Sequence, residues 1–468
     1  MNKLKRNIFY STFYQIIQII LPLITTPYIS RVLGAAGVGT ISYAQTIVSY
    51  FVLFALLGLE NYGSREIAQC KNHKELNNTF NEIVFSQFFM VIVTIIIYFI
   101  YIVFFASNKQ LYLLYTLMLF GQGISINWFF WGMENFKITV IRNLILKIIS
   151  ILCLFLFVKT KQDIMIYALI NILSVLLGEL WLWKITKNTI DIRMPAWVNI
   201  KKHIQPNLML FLPVLSKNIY LSIDKLMLGA MSTIESVGIY TYAETIVKLP
   251  MGIVTAFSTA MMPRITNLYS NHDTVTTKKY LRLSMFAILF ITSAISFGIA
   301  AIAPTLIPLF LGNDFIDAIT IVEMLSIIVI IISIGSIFRT QILIPLKKDK
   351  EYSRSIIIGA VINVIINSLL IPKIGILGAA IGTVVSEFTV VCIQLYYIKN
   401  EVHIIDSLLS GIPFILFGLI MFILIRTYFQ SSLPTISNLF IQILAGGSFY
   451  LVCSSIYFII YKKRVYHN

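Results

Sequence analysis

The amino-acid sequence predicts an all-α polytopic membrane protein of about 14 transmembrane helices, arranged as two related six-helix lobes followed by two further helices. Three observations lead there. The composition is apolar and poor in charge, apolar runs long enough to cross a bilayer recur from end to end, and an internal repeat maps one half of the chain onto the other.

Of the 468 residues, 58% are hydrophobic and only 12% charged, and the mean hydropathy is +0.86, far from the values of a soluble globular chain. Apolar stretches of about 20 residues, enough to cross about 30 Å of hydrocarbon, follow one another with short polar breaks. No soluble domain fits between them. The net charge of +16 is what membrane proteins reach when Lys and Arg gather in cytoplasmic loops, so it does not point to nucleic acid. Cys70, Cys153, Cys392 and Cys453 are scattered, with no spacing of a disulfide framework or a metal site. The basic start MNKLKRNIFY runs into an apolar segment without the small-residue cleavage site of a secretory signal, and is expected to stay as the first helix.

The spans fall at about 8–31, 37–60, 81–105, 111–132, 138–158, 164–184, 207–229, 237–262, 281–303, 318–344, 353–371, 376–398, 408–428 and 438–461. With the N-terminus inside, cytoplasmic loops collect about 25 of the 36 Lys and Arg and outer loops about six. Lys3, Lys5, Arg6, Lys71, Lys74, Lys201, Lys202, Lys278, Lys279, Lys347, Lys348, Lys462, Lys463 and Arg464 lie on the cytoplasmic side in this scheme. Both termini are then cytoplasmic, in keeping with an even number of spans. Trp128, Trp131, Trp181 and Trp183 fall at cytoplasmic helix ends, where indole rings favour the headgroup level. Trp197 sits in the longest cytoplasmic loop, expected to lie as a short amphipathic segment on the membrane surface. Domain boundaries follow: an N-terminal lobe over 1–184, the loop 185–206, a C-terminal lobe over 207–398, and two helices with a cytoplasmic tail over 399–468.

The repeat is ungapped. VGTISYAQTIV at 38–48 matches VGIYTYAETIV at 237–247, and at the same offset Arg65 meets Arg264, each at a cytoplasmic helix end. An even number of spans separates the matched helices, so the halves share one orientation and are related by an axis along the membrane normal.

Pairing the repeats pairs their polar positions: Ser42 with Thr241, Gln45 with Glu244, Ser49 with Lys248. On the eighth span the stripe continues at helical spacing through Thr241, Thr245, Lys248, Gly252, Thr255 and Thr259, a face that avoids lipid. On the seventh, Lys217, Tyr220 and Asp224 share a face with Lys225 beside it, while the first span ends in Arg31 and the second in Glu60. Charge inside a span is costly and marks function. Glu244 and Lys248, at i and i+4, also fit a self-satisfying ion pair, and Lys225 fits a side chain snorkelling to the outer interface. Asn363, Asn367, Lys147, Glu179, Glu323, Arg339 and Glu387 rank second among polar residues within spans. Pro22, Pro27 and Pro213 are expected to bend the first helix of each half, and GAAIGT at 378–383 to let helices pack closely. No phosphate-cradling Gly loop, zinc-type His pair or nucleophile elbow is present, and the five His lie in loops or the tail, so no enzyme, metal or cofactor is expected.

The pattern TTPYISRVLGAAGVGTISYAQTIVSYF, then GLENYGSREIA, then NWFFWGMENFKITVIRN, resembles the polysaccharide-transporter branch of the multidrug/oligosaccharidyl-lipid/polysaccharide exporter superfamily. The resemblance covers the whole chain, with LSIDKLMLGAM and GAAIGTVVSE following more loosely. It implies a flippase of the bacterial cytoplasmic membrane that moves undecaprenyl-pyrophosphate-linked oligosaccharide repeat units for O-antigen, capsule or exopolysaccharide assembly. It also implies two six-helix lobes around a V-shaped cavity lined by the first, second, seventh and eighth spans, rocking in alternating access. Membrane lipid, a polymerase and chain-length proteins would be its other partners. Cavity cations that meet the pyrophosphate map onto Arg31, Lys217, Lys225 and Lys248, with Glu60, Asp224 and Glu244 among them and Arg65 and Arg264 at the cytoplasmic gate. Peptidoglycan-precursor flippases carry several arginines on the first helix, where this chain has only Arg31. A cation-coupled drug or metabolite antiporter of the same superfamily would instead use Glu60, Asp224 and Glu244 as ion sites. A membrane polymerase or glycosyltransferase would need a large outer loop, and the predicted outer loops are short.

Overall fold

In the computed structural model, which describes residues 3–399, 404–429 and 434–466, every regular element is helical. Without water in the hydrocarbon region, each peptide group must find its partner inside its own segment, and a helix achieves this. Eleven helices among the described residues are long and apolar enough to cross a membrane, or up to 12 with Ile234–Lys248 and Met251–Ser270 taken as one bent span. The chain is a polytopic membrane protein. Its expected count of about 14 is not confirmed, because the first two expected spans run together in one helical stretch, and Ile204–Met231 is outside that set of eleven. The side chains of Lys3, Lys5, Arg6, Pro213, Lys462, Lys463 and Arg464 lie outside the described residues.

Two compact units divide the chain: residues 1–25 with 32–222, and residues 26–31 with 223–468. The division at 222/223 falls inside the helix Ile204–Met231.

In the first unit the helix Lys3–Leu56 has one non-helical residue, Gly34, at φ 67 and ψ 177, conformational space open only to glycine. Backbone dihedrals stay helical through Pro22 and Pro27, so the expected loop at 32–36 contracts to one glycine. A second break comes at Leu57, whose φ of 53 is rare for a branched apolar side chain. Gly58 follows because a Cβ there would lie 2.4 Å from Leu210 Cβ. The short helix Leu59–Gln69 then packs on Asn127–Gly132, with Gly63 facing the Trp128 ring and Gly132 facing Ile67. This contact anchors an aromatic core in which the Phe80 and Phe129 rings stand 4.9 Å apart. Trp128 departs from its expected headgroup position: it is 1% exposed, and its Nε1 donates to Gln87 Oε1 at 3.2 Å. Trp183 stacks on Phe88 and donates to the Ile124 carbonyl. The indoles serve the core because Gln87 and a carbonyl supply the partners that the interface would otherwise offer.

The loop after Thr186 is strapped to the helix His73–Phe104. Asn77 accepts from the Asp191 N–H at 2.7 Å, and Asn81 accepts from the Arg193 N–H and donates to the Asp191 carbonyl. A five-residue helix, Trp197–Lys201, exposes Trp197 and Val198 and buries Ile200. His203 closes the loop: the Tyr62 hydroxyl donates to Nδ1 at 2.7 Å, and Nε2 reaches Glu82 at 3.2 Å, where Lys202 also binds at 2.8 Å.

In the second unit the long helix Thr274–Phe310 is the common support. The last two described helices, Ile412–Tyr428 and Ile436–Tyr466, pack with it: Gly411 lies against Leu289, Gly418 against Phe297, and the Tyr450 hydroxyl donates to the Phe290 carbonyl at 2.7 Å. The eighth expected span is broken after Lys248 and bent by 44°. Pro250, at the start of Met251–Ser270, has no N–H to continue the ladder.

Burial lowers the His203 pKa below its usual value, against an opposing pull from Glu82. The neutral ring is therefore favoured in the folded state, and its contribution to holding the loop is present above about pH 6.5 and is lost as the pH falls. Hydrogen exchange of 189–203 should accelerate between pH 7.5 and 5.5, and His203→Gln should remove most of that acceleration. The same pH response in the variant would show that His203 is not the titrating latch.

Candidate functional site: a buried charge network

Four of the residues expected in the site come together in the second unit. Asp224 and Lys225 lie on Ile204–Met231, and Glu244 and Lys248 on Ile234–Lys248. Glu244, with a side chain only 9% exposed, binds two lysines at once: Lys248 Nζ at 2.6 Å from Oε1, and Lys225 Nζ at 2.9 Å from Oε2. The i, i+4 pair that the spacing allows is thus real but incomplete. Lys225 is bound to Glu244 rather than snorkelling, because the helix turn at 232–233 lays the two helices side by side. The triad carries one net positive charge.

Asp224, 3% exposed, is surrounded by donors. Asn363 Nδ2 reaches Oδ1 at 2.9 Å and Asn367 Nδ2 at 2.6 Å, while Thr383 and the Tyr240 hydroxyl reach Oδ2 at 3.1 and 3.3 Å. The helices Asp349–Ile374 and Ile376–Ile398 supply three of the four, and their close approach depends on glycine. At Gly378 a Cβ would sit 2.6 Å from the Leu370 backbone, and at Gly382 it would sit 2.1 Å from Asn367 Oδ1. The GAAIGT motif packs helices, as its small residues lead one to expect.

The other expected residues have other surroundings. Arg31, in the second unit, donates from Nη2 to the Leu309 carbonyl and covers Gly312, so it serves the C-terminal end of Thr274–Phe310, where a cation is favoured. Glu60 and Lys217 belong to the first unit. Glu60 opens the short helix Leu59–Gln69 and lines a cavity of about 440 Å3 with Asn61, Gln122, Asn127, Glu179 and Asn218. Arg65 pairs with Glu66 at 3.3 Å above the Tyr62 ring, and Arg264 lies over Tyr280. The hydroxyl stripe of the eighth span is interrupted by the 44° bend. Thr241, Thr245, Thr255 and Thr259 each donate back to the carbonyl four residues earlier.

Tyr240 and Thr383, two of the Asp224 partners, and Arg142 carry no signal in the sequence that separates them from ordinary span residues. Arg142 is 4% exposed and bound to Glu179 at 3.2 Å. An arginine near a span end reads as an interfacial cation until its partner on another helix is known. Of the residues ranked second, Asn363 and Asn367 hold Asp224, and Glu323 is bound to Arg426.

Glu244→Gln should leave two lysines side by side without a counter-charge, at a cost of about 3–5 kcal/mol. The purified variant should therefore melt well below the parent, and adding Lys225→Met should recover part of the loss. A single variant that melts like the parent would remove the triad from any account of this unit.

Residues 4–269 match the family model described as polysaccharide biosynthesis protein. A "Putative O-antigen transporter" of Escherichia coli (strain K12) is 24% identical over 422 residues, covering 85% of this chain and 97% of that protein. Among solved structures, the lipid II flippase MurJ in an inward closed conformation aligns over 98% of this chain and 100% of its own, with a TM-score of 0.76 at 17% identity. An inward-facing multidrug resistance MATE transporter of the MOP superfamily aligns over 88% of this chain and 99% of its own, with a TM-score of 0.59 at 14% identity. These likenesses are of fold. With more than half of its length matched by the family model, the chain belongs to the polysaccharide biosynthesis protein family.

Proposed function

We propose that this protein is a flippase that carries undecaprenyl-pyrophosphate-linked oligosaccharide repeat units across the bacterial cytoplasmic membrane, by alternating access of lobes at 1–184 and 207–398, for O-antigen, capsule or exopolysaccharide assembly. The observation that carries this reading is the Lys225–Glu244–Lys248 triad. One carboxylate holds two ammonium groups inside a membrane bundle, and the side chains of Lys225 and Lys248 remain 20% and 31% exposed. An ammonium has three donors and Glu244 takes one from each lysine, which leaves donors and one net charge for an anionic headgroup. A pyrophosphate is the group in such a substrate that needs them, and a partly desolvated cation attracts it more strongly than one in water. A match over 85% of this chain to a "Putative O-antigen transporter" supports the same assignment. A polymerase and chain-length proteins are the partners such a pathway would add.

A second reading draws on Asp224. A buried carboxylate held by two amides and two hydroxyls is also what a cation-coupled antiporter would use as its ion site. Under the flippase reading this network supplies the coupling, and under the antiporter reading it accompanies a small-molecule substrate.

Flipping of a fluorescent lipid-linked oligosaccharide by proteoliposomes decides between them. Lys248→Gln at normal abundance should slow flipping by about ten- to a hundredfold, the loss of one charge-assisted contact. Parent-level flipping by Lys225→Gln/Lys248→Gln would sink the assignment, and drug antiport without flipping would favour the second reading. The proposed orientation places both termini and the loop around Trp197 in the cytoplasm. A cysteine at Lys201 in a cysteine-free background should resist an impermeant maleimide added to intact cells, and strong labelling would reverse the topology.

A further inference from the structure

The first unit holds a second cavity, of about 390 Å3. Its chemistry is set by three ionisable residues: Arg142 and Lys147 on the helix Phe136–Phe157, and Glu179 on Ile164–Thr186. Arg142 is spent. Its five N–H groups go to Asn143 Oδ1 twice, Asn127 Oδ1, the Gly178 carbonyl and Glu179 Oε1. Glu179 is neutralised by that guanidinium, yet its Oε2 is buried without a hydrogen-bond partner among the described residues, and Glu179 also lines the neighbouring cavity of about 440 Å3. Lys147 has no ion-pair partner among the described residues.

Lys147 lies at the centre of a 22-residue helix. At 1.5 Å per residue it is about 15 Å from either end, too far for its ammonium to reach headgroups. A cation that can neither snorkel nor pair within its own unit marks a path for something that crosses. Around it the cavity is lined by the amides of Gln45, Asn143 and Asn171. These groups suit vicinal hydroxyls.

We infer that this cavity is a binding site for an acidic sugar ring, with Lys147 taking the ring's single carboxylate. The inference names the class of sugar for the flippase proposed above and rests on that reading for its biological sense. The volume holds one or two rings of a repeat unit.

The test uses the purified full-length protein and three probes, glucuronate, glucose and inorganic pyrophosphate, at matched ionic strength. Glucuronate should raise the Tm by about 2 °C at tenfold excess over its Kd. Glucose should give a smaller shift. Lys147→Gln should abolish the glucuronate shift and Lys147→Arg should retain it. A glucuronate shift unchanged in Lys147→Gln overturns the site, as does no glucuronate shift in the parent. A Lys147-dependent shift with pyrophosphate alone overturns the sugar assignment in favour of a phosphate. Lys147-dependent glucuronate binding in a protein that flips no lipid-linked oligosaccharide would sink the flippase reading and leave this site standing. Flipping without that binding would do the reverse.

Discussion

A charge carried into hydrocarbon has no water to solvate it, and the way this chain matches its intramembrane charges organises both of its units. In the first, Arg142 exhausts its donors on Asn127, Asn143, Gly178 and Glu179. In the second, Glu244 binds Lys225 and Lys248, and Asp224 is enclosed by Asn363, Asn367, Tyr240 and Thr383. Each arrangement draws on two or more helices, so each also fixes how those helices lie against one another. Removing one partner of such a set leaves a bare charge, which costs more than the pair contributes.

Glycine makes these arrangements possible. Asn367 can reach Asp224 because residue 382 has no side chain, and Leu59–Gln69 can press on Asn127–Gly132 because residues 63 and 132 have none. In lipid the hydrophobic effect does not drive helices together, so close backbone approach and interhelical hydrogen bonds take over. The small residues and the polar residues are therefore parts of one device: the first bring the helices close enough for the second to bond.

The two units use this device to different ends. The second places a net positive triad beside a saturated carboxylate, a combination suited to holding an anionic headgroup and to responding to a cation. The first places a saturated arginine and a lysine without an ion-pair partner among the described residues in one cavity lined by amides. The ungapped repeat thus does not make two equal sites. Gln45 stands where Glu244 stands in the other half, and Ser49 where Lys248 stands, so the acid–base pair exists only once.

The all-helical, polytopic character of the chain was legible in composition and in the recurrence of apolar runs, because the bilayer imposes a length and a polarity that a sequence must display. The polar residues of the seventh and eighth spans stood out for the same reason: charge in a span is rare enough to be read one residue at a time. Pairing was not legible in this way. That Lys225 would bind Glu244, that Arg31 would serve the end of Thr274–Phe310, and that Trp128 would turn inward to Gln87 all depend on contacts between residues far apart in the chain. Even the helix breaks divide along this line: Pro250 carries its own reason for a bend, whereas the breaks at Gly34 and Leu57 follow from packing. The sequence by itself determined that these helices cross a membrane and which of them carry charge. Only the tertiary structure decided which charges neutralise one another and which remain for a ligand, because in a low-dielectric medium that outcome turns on a few ångströms between side chains of different helices.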